Sequence, residues 1–192
     1  MITIDEWDNL VDLYKSSMPS LSNKGSFTRA STNYALYSKV IKDHDKIRNG
    51  AYHLLLSYTG HGYKVLNEQL METNLVPCDR PIQVYTDLLI RALDMLPKFN
   101  NNTCYRNTGL DSNAFNYLKK RKGGVIMIPY FCSISFVRTG NVGNYFEIHT
   151  DNLSNGHYIG NFVERPVEQE ILFKPNTCFE IRDYDRQTIY LE

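Results

Sequence analysis

Two carboxylates stand two positions apart at the head of an apolar run, Glu168 and Glu170 in Pro166-Val167-Glu168-Gln169-Glu170-Ile171-Leu172-Phe173. Strand side chains repeat every two residues, so with Glu170 in a strand and Glu168 at its mouth both can point to the same side. Two carboxylates in different environments divide labour, one stabilising a cation and the other taking a proton. In Tyr130-Phe131-Cys132-Ser133-Ile134-Ser135-Phe136 the same alternation puts Phe131, Ser133 and Ser135 on one face and Cys132, Ile134 and Phe136 on the other. Thr103-Cys104-Tyr105-Arg106-Asn107 carries an arginine to the end of a predicted strand, where a guanidinium can clamp a phosphate through paired hydrogen bonds. Tyr58-Thr59-Gly60-His61-Gly62-Tyr63-Lys64-Val65-Leu66-Asn67 joins one predicted helix to the next through two glycines, as a helix C-cap requires. Taken singly, each segment has a plainer reading: a solvated strand, a half-exposed strand, a surface arginine, and a turn in which His61 has no task.

The elements that must position these residues fall into two halves. Up to about residue 99, apolar residues recur at helical spacing: Ile4, Trp7, Leu10, Val11 and Tyr14, a segment over about 33–58, then Ile82, Tyr85, Leu89, Ala92, Leu93 and Leu96. A Ser/Gly/Asn/Lys-rich stretch over 19–31 reads as a connection. After Asn100 come short runs rich in Thr, Ile, Val, Tyr and Phe, predicted as strands over 103–106, 124–136, 145–149, 168–173, 177–181 and 188–191. One helix interrupts them from Asp111 to Lys120, with Asp111 or Ser112 as N-cap. Helices followed by strands predict an α+β fold, an N-terminal helical layer on a mixed, mainly antiparallel β-sandwich core. A single domain is expected over 1–192, with 1–99 mainly helical and 100–192 mainly strand.

Composition narrows the partners. The 192 residues hold 42% apolar and 22% charged side chains, ordinary globular values. Basic and acidic residues balance at 21 each, which removes a global electrostatic pull toward nucleic acid or anionic membranes. The start of the chain is an acidic amphipathic pattern without the basic-then-apolar order of a secretory signal, and no apolar stretch approaches the length of a membrane span. Cys78, Cys104, Cys132 and Cys178 lack C-x-x-C spacing, so free thiols are expected, and no metal.

Taken together and in order, the four segments resemble the mono-ADP-ribosyltransferase family. The pattern is Tyr-Thr-Gly-x-Gly-Tyr-x-x-x-Asn, an aromatic-Arg strand, Phe-x-Ser-x-Ser, and Glu-x-Glu-Ile-Leu-Phe-x-Pro-x-Thr-x-Phe. The branch resembled is the arginine/serine/glutamate class of clostridial binary toxins, C3-like exoenzymes and vertebrate arginine-specific ecto-enzymes. The likeness spans Tyr58 to Ile181, and Glu168 to Phe179 is its most specific stretch. It implies NAD as substrate and no metal. By the resemblance Arg106 orders the site and contacts the NAD phosphates, Ser133 orients the catalytic glutamate Glu170, and Glu170 holds the nicotinamide-ribose hydroxyl and stabilises the cation formed on bond cleavage. Glu168 prepares the acceptor, a guanidinium that must be oriented and relieved of a proton. Tyr58, Tyr63, Asn67, Ser135 and, more weakly, Arg138 contribute to NAD binding, and Phe162 recognises the acceptor. Departures from the pattern are Asn107, where Gly or Arg is common, and Ile134, where Thr is common.

The resemblance implies a monomer that transfers ADP-ribose to an arginine of a target protein, acting as a soluble effector, phage enzyme or toxin piece in the cytosol of a target cell. An NAD glycohydrolase with the same pocket, a non-catalytic interaction domain, and a transferase with a nucleic-acid acceptor are the competing readings.

Overall fold

The computed structural model describes residues 54–55, 58–59, 63–72, 80–96, 98–99, 102–138, 143–151, 155–159 and 169–192. The expected first helix, the connection over 19–31 and most of the helical segment over 33–58 lie outside them. The chain divides into two compact units, residues 1–96 with 162–164 and residues 97–161 with 165–192.

The first unit contributes two described helices, α1 (Tyr63–Glu72) and α2 (Arg80–Asp94). Leu66 and Leu70 of α1 are buried, as are Ile82, Tyr85, Leu89, Ala92 and Leu93 of α2, the i, i+3, i+4, i+7 stripe that makes a helix amphipathic. The Tyr85 hydroxyl donates to the Leu54 carbonyl at 3.1 Å, so the polar tip of a fully buried ring is satisfied. The α2 helix starts two residues before its predicted first apolar position.

The second unit contains eight described strands and one helix: β1 (Thr103–Asn107), α3 (Ser112–Lys119), β2 (Val125–Ile128), β3 (Cys132–Ser135), β4 (Tyr145–His149), β5 (Gly156–Tyr158), β6 (Glu170–Phe173), β7 (Thr177–Tyr184) and β8 (Thr188–Leu191). The sheet order is β2-β7-β8-β4-β1-β3-β6-β5, antiparallel throughout except for β4 beside β8. The fold class is the α+β one expected from the sequence.

Four details differ from the sequence reading, each for a physical reason. The run over 124–136 is two strands because Pro129 cannot donate to a ladder. β5 was not expected: three residues are too few to show a period, and its first is a glycine. That glycine is required by packing, since a Cβ on Gly156 would stand 2.8 Å from Cζ of the buried Phe173 ring. β7 runs on to Tyr184 beyond its apolar part, and the Asp185 carboxylate accepts from the amides of Gln187 and Thr188 at 2.8 and 2.7 Å to close the hairpin. β6 begins at Glu170 rather than Glu168, because Gln169 takes a left-handed φ of 45° and ends the extended alternation there. Asp111 is the N-cap of α3, its Oδ1 accepting from Ala114 N at 2.8 Å.

One face of this sheet holds the apolar core: Cys104, Phe146, Ile148, Cys132, Ile134, Ile171, Phe173, Phe179, Ile181, Ile189 and Leu191, with Phe115 of α3. Burying these aliphatic and aromatic side chains, at about 1.5–3 kcal/mol each, is the main force holding the strands together.

Candidate active site

The three residue types of the expected constellation sit on three neighbouring strands. β1 pairs with β3 at Tyr105 opposite Ser135, and β3 pairs with β6 with Ser135 opposite Glu170 and Ser133 opposite Leu172. The pleat therefore sets Ser133, Ser135 and Glu170 on the face away from the apolar core, while Cys132 and Ile134 turn into it. The alternation expected for Cys132 to Ser135 is the one observed, with burial alternating along the strand.

Glu170 is buried, with 8% of its surface exposed, and directly faces half-buried Ser135 across the strand pair. Its carbonyl accepts from Ile159 N at 2.9 Å, which ties the strand's first residue to the end of β5. A carboxylate at the mouth of a strand, fixed on both sides by sheet hydrogen bonds, can present one oxygen pair in one direction. Ser135 is further held by its own turn, its Oγ accepting from Val137 N at 3.1 Å. Ser133 contributes its carbonyl, rather than its hydroxyl, to the contacts among the described residues.

Arg106 lies on the adjacent strand but points to the other face of the sheet. Its neighbour Tyr105 shares the phase of Ser135, so the pleat turns Arg106 toward the phase of Ile134 and of Phe146, its partner on β4. The guanidinium donates to the Ser133 carbonyl at 2.5 Å and lies 5.9 Å over the Tyr130 ring. It also meets the Cys132 thiol, whose titration is pushed up by burial and partly drawn back by the nearby cation. Arg106 is thus a strap between β1 and the Ser-x-Ser strand. Tyr130 and Cys132, which hold the arginine, carry no sequence signal for that task, because only strand register brings them to it.

The remaining candidates are dispersed. Arg138 is exposed and stacks 4.5 Å over the Tyr145 ring. Asn107 accepts from Gly109 N at 3.2 Å and shapes the turn after β1, where Gly109 has a φ of 61°. In the first unit, Asn67 donates to the Tyr58 hydroxyl at 3.3 Å, and the rings of Tyr58 and Tyr63 meet edge to face at 6.3 Å, so these three form one cluster within their own unit. Glu168 and Phe162 lie outside the described residues. His61 also lies outside them. Among the described residues, no three His, Cys, Asp or Glu side chains gather as a metal-ion site, Cys104, Cys132 and Cys178 are free thiols, and no helix is long and apolar enough to cross a membrane.

No family model matches the chain and no curated protein matches it. Solved structures match in fold. A mutant of the eukaryotic mono-ADP-ribosyltransferase ART2.2 in complex with NADH superposes with a TM-score of 0.68 at 18% identity, over 96% of this chain and 83% of that one. The ATR domain of Salmonella SpvB gives a TM-score of 0.55 at 22% identity, over 69% and 79%. The Clostridium limosum C3 exoenzyme gives 0.56 at 19%, over 74% and 84%. At these identities the likeness is one of architecture, and that architecture is the ADP-ribosyltransferase fold.

Proposed function

We propose that this chain is an NAD-dependent mono-ADP-ribosyltransferase, working as a single catalytic domain, that passes ADP-ribose to an arginine of a target protein. The observation that carries the reading is the placement of Arg106, the Ser133/Ser135 strand and buried Glu170 on three adjacent strands, with Arg106 bonded to the Ser133 backbone, in a fold shared with solved ADP-ribosyltransferases.

The chemistry asks little of the protein at the leaving group. As the bond between ribose and pyridinium breaks, its electron pair neutralises the ring nitrogen and nicotinamide leaves, so positive charge moves to the sugar. A fixed carboxylate beside the sugar stabilises that charge, and it costs no reorganisation if it is held before the reaction. Glu170 is the group for this role, with Ser135 directly across from it and Ser133 two pairs further along the strand, on the same face. Arg106, strapped to the Ser133 carbonyl, sets the spacing of β1 and β3, which supports the ordering half of its expected role. A contact with the NAD phosphates requires its guanidinium to turn from the core-facing phase that it occupies here. On the acceptor side, Glu168 takes the proton released when a guanidinium nitrogen attacks the ribose carbon, and Phe162 bears on acceptor choice. Tyr58, Tyr63 and Asn67 serve NAD binding on this reading, and Arg138 does so more weakly. The neighbouring folds include a bacterial toxin from Paenibacillus larvae and a type III effector from Xanthomonas, which supports an effector or toxin role in the cytosol of a target cell.

The test is incubation of the purified protein with labelled NAD, with and without agmatine as an arginine mimic, beside Glu170→Gln. Labelled agmatine adduct that disappears in the variant supports the proposal. Nicotinamide release without adduct gives the glycohydrolase reading instead, and no cleavage under any condition overturns both.

A further inference from the structure

Strand register lines up one row of side chains across the sheet order β8-β4-β1-β3-β6. Tyr190 pairs with Glu147, Glu147 with Tyr105, Tyr105 with Ser135, and Ser135 with Glu170. Directly paired residues share a face of the sheet, so the whole row stands on the face away from the apolar core. The Tyr190 hydroxyl donates to Asp185 at 2.9 Å, and the Glu147 carboxylate lies 3.5 Å from the His149 imidazole. Tyr105 differs from both. It is half-buried, and its side chain makes no hydrogen bond, ring contact or cation contact among the described residues. Every other described tyrosine has one.

On β1 the residue that stands on the Glu170 face is therefore Tyr105, while Arg106 bonds the Ser133 carbonyl from the other phase. Between Tyr105 and Glu170 lies only the short side chain of Ser135, so the two longer side chains flank a trough. With neighbouring strands about 4.8 Å apart, Tyr105 and Glu170 rise from backbones roughly 10 Å apart. A planar ring stacked on Tyr105 at about 3.5–4 Å leaves about 6 Å to the carboxylate, room for the edge of one sugar. The face of a tyrosine ring attracts a cation, and Glu147 adds negative charge behind it. Strand propensity accounts for a tyrosine on β1; it does not account for an unengaged ring beside the serine that faces a buried carboxylate.

We propose that the pyridinium ring of NAD stacks on Tyr105, an inference that rests on the NAD-using role of Glu170. The pyridinium is positively charged in NAD and neutral once nicotinamide has left, so the contact is strongest with intact substrate. It tightens NAD binding without speeding bond cleavage, and it weakens as the neutral product departs.

The test is calorimetric titration of the full chain with NAD, NADH and ADP-ribose. The parent, Tyr105→Leu and Tyr105→Phe are compared, all carrying Glu170→Gln to hold turnover down. NADH keeps the ring without its charge, and ADP-ribose has no ring at that position. Tyr105→Leu should weaken NAD about three- to tenfold and NADH by less. Its affinity for ADP-ribose should change by less than about twofold, which also shows the variant to be folded. Tyr105→Phe keeps the ring and should restore parent affinity to within about twofold. With Glu170 intact, nicotinamide release by Tyr105→Leu should show a raised KM and no fall in kcat. Three results overturn the inference: unchanged NAD affinity in Tyr105→Leu, an equal loss for ADP-ribose, or a Phe variant as weak as the Leu variant. NAD that binds, responds to Tyr105 and is never cleaved with Glu170 intact refutes the transferase reading and leaves the ring contact standing. A chain that binds no NAD with Glu170 intact refutes both.

Discussion

If Arg106 is the strap between β1 and β3, removing it must destabilise the fold as well as any activity. Arg106→Ala deletes a charge-assisted hydrogen bond to the Ser133 carbonyl at 2.5 Å, worth about 1.5–3 kcal/mol. It also deletes a ring contact 5.9 Å from the Tyr130 centroid, worth about 0.5–1 kcal/mol. The side chain is half-buried, so water replaces part of the loss, and a net cost of about 2–3 kcal/mol is expected. For a chain of this size that lowers the melting temperature by roughly 4–12 °C. Arg106→Lys keeps the charge but not the planar fork, and should fall between parent and alanine. The assay is urea unfolding followed by circular dichroism, with NAD cleavage measured on the same samples below the transition. An alanine variant within about 0.5 kcal/mol of the parent, the range of an ordinary surface substitution, refutes the strap. Loss of cleavage with unchanged stability would then assign Arg106 to ligand contact alone.

Four further outcomes follow from individual side chains. Gly156→Ala forces a Cβ to within 2.8 Å of the Phe173 ring, and overpacking of this kind should cost about 1–3 kcal/mol in urea unfolding; because β5 supports β6 beside Glu170, cleavage should fall with it. Asp111→Ala removes the N-cap of α3 and should cost about 1 kcal/mol in the same assay, while Asp111→Asn should be nearly neutral. Burial, and secondarily the nearby Cys132, pushes the Cys104 thiol up to about 12. The folded pKa exceeds the unfolded one, so this contribution is intact below about pH 9 and is lost as pH rises toward 12, at about 1.4 kcal/mol per pH unit. The alkaline loss should be steeper in the parent than in Cys104→Ala. Iodoacetamide mapped by mass spectrometry should label exposed Cys178 well before Cys104 or Cys132.

Several of these contacts have no counterpart in the linear sequence. The Gly156 requirement is set by a ring on β6, and the Arg106 strap depends on a strand pairing 27 residues away. Local signals did carry far: the Asp111 cap, the strands at 145–149 and 188–191, and the inward and outward faces of Cys132 to Ser135 follow from residue type and a period of two. Where the pattern was interrupted by a single residue, Pro129 or the left-handed Gln169, element boundaries moved. The same-side geometry proposed for Glu168 and Glu170 assumed an unbroken strand, and the turn at Gln169 removes that assumption.

The sequence by itself determined the α+β class, the order of the chemistry-bearing segments and their resemblance to a family of NAD-using transferases, because helix and strand periods and short motifs are local properties. Only the tertiary structure decided that Ser135 is the direct neighbour of Glu170, that Arg106 faces the core side and bonds the Ser133 backbone, and that Tyr130 and Cys132 receive its guanidinium. Those relations depend on the register of β1, β3 and β6, and a shift of one residue in register reverses every face. Register is fixed by long-range burial, the summed fit of Cys104, Cys132, Ile134, Ile171 and Phe173 into one core, which no window of the sequence contains.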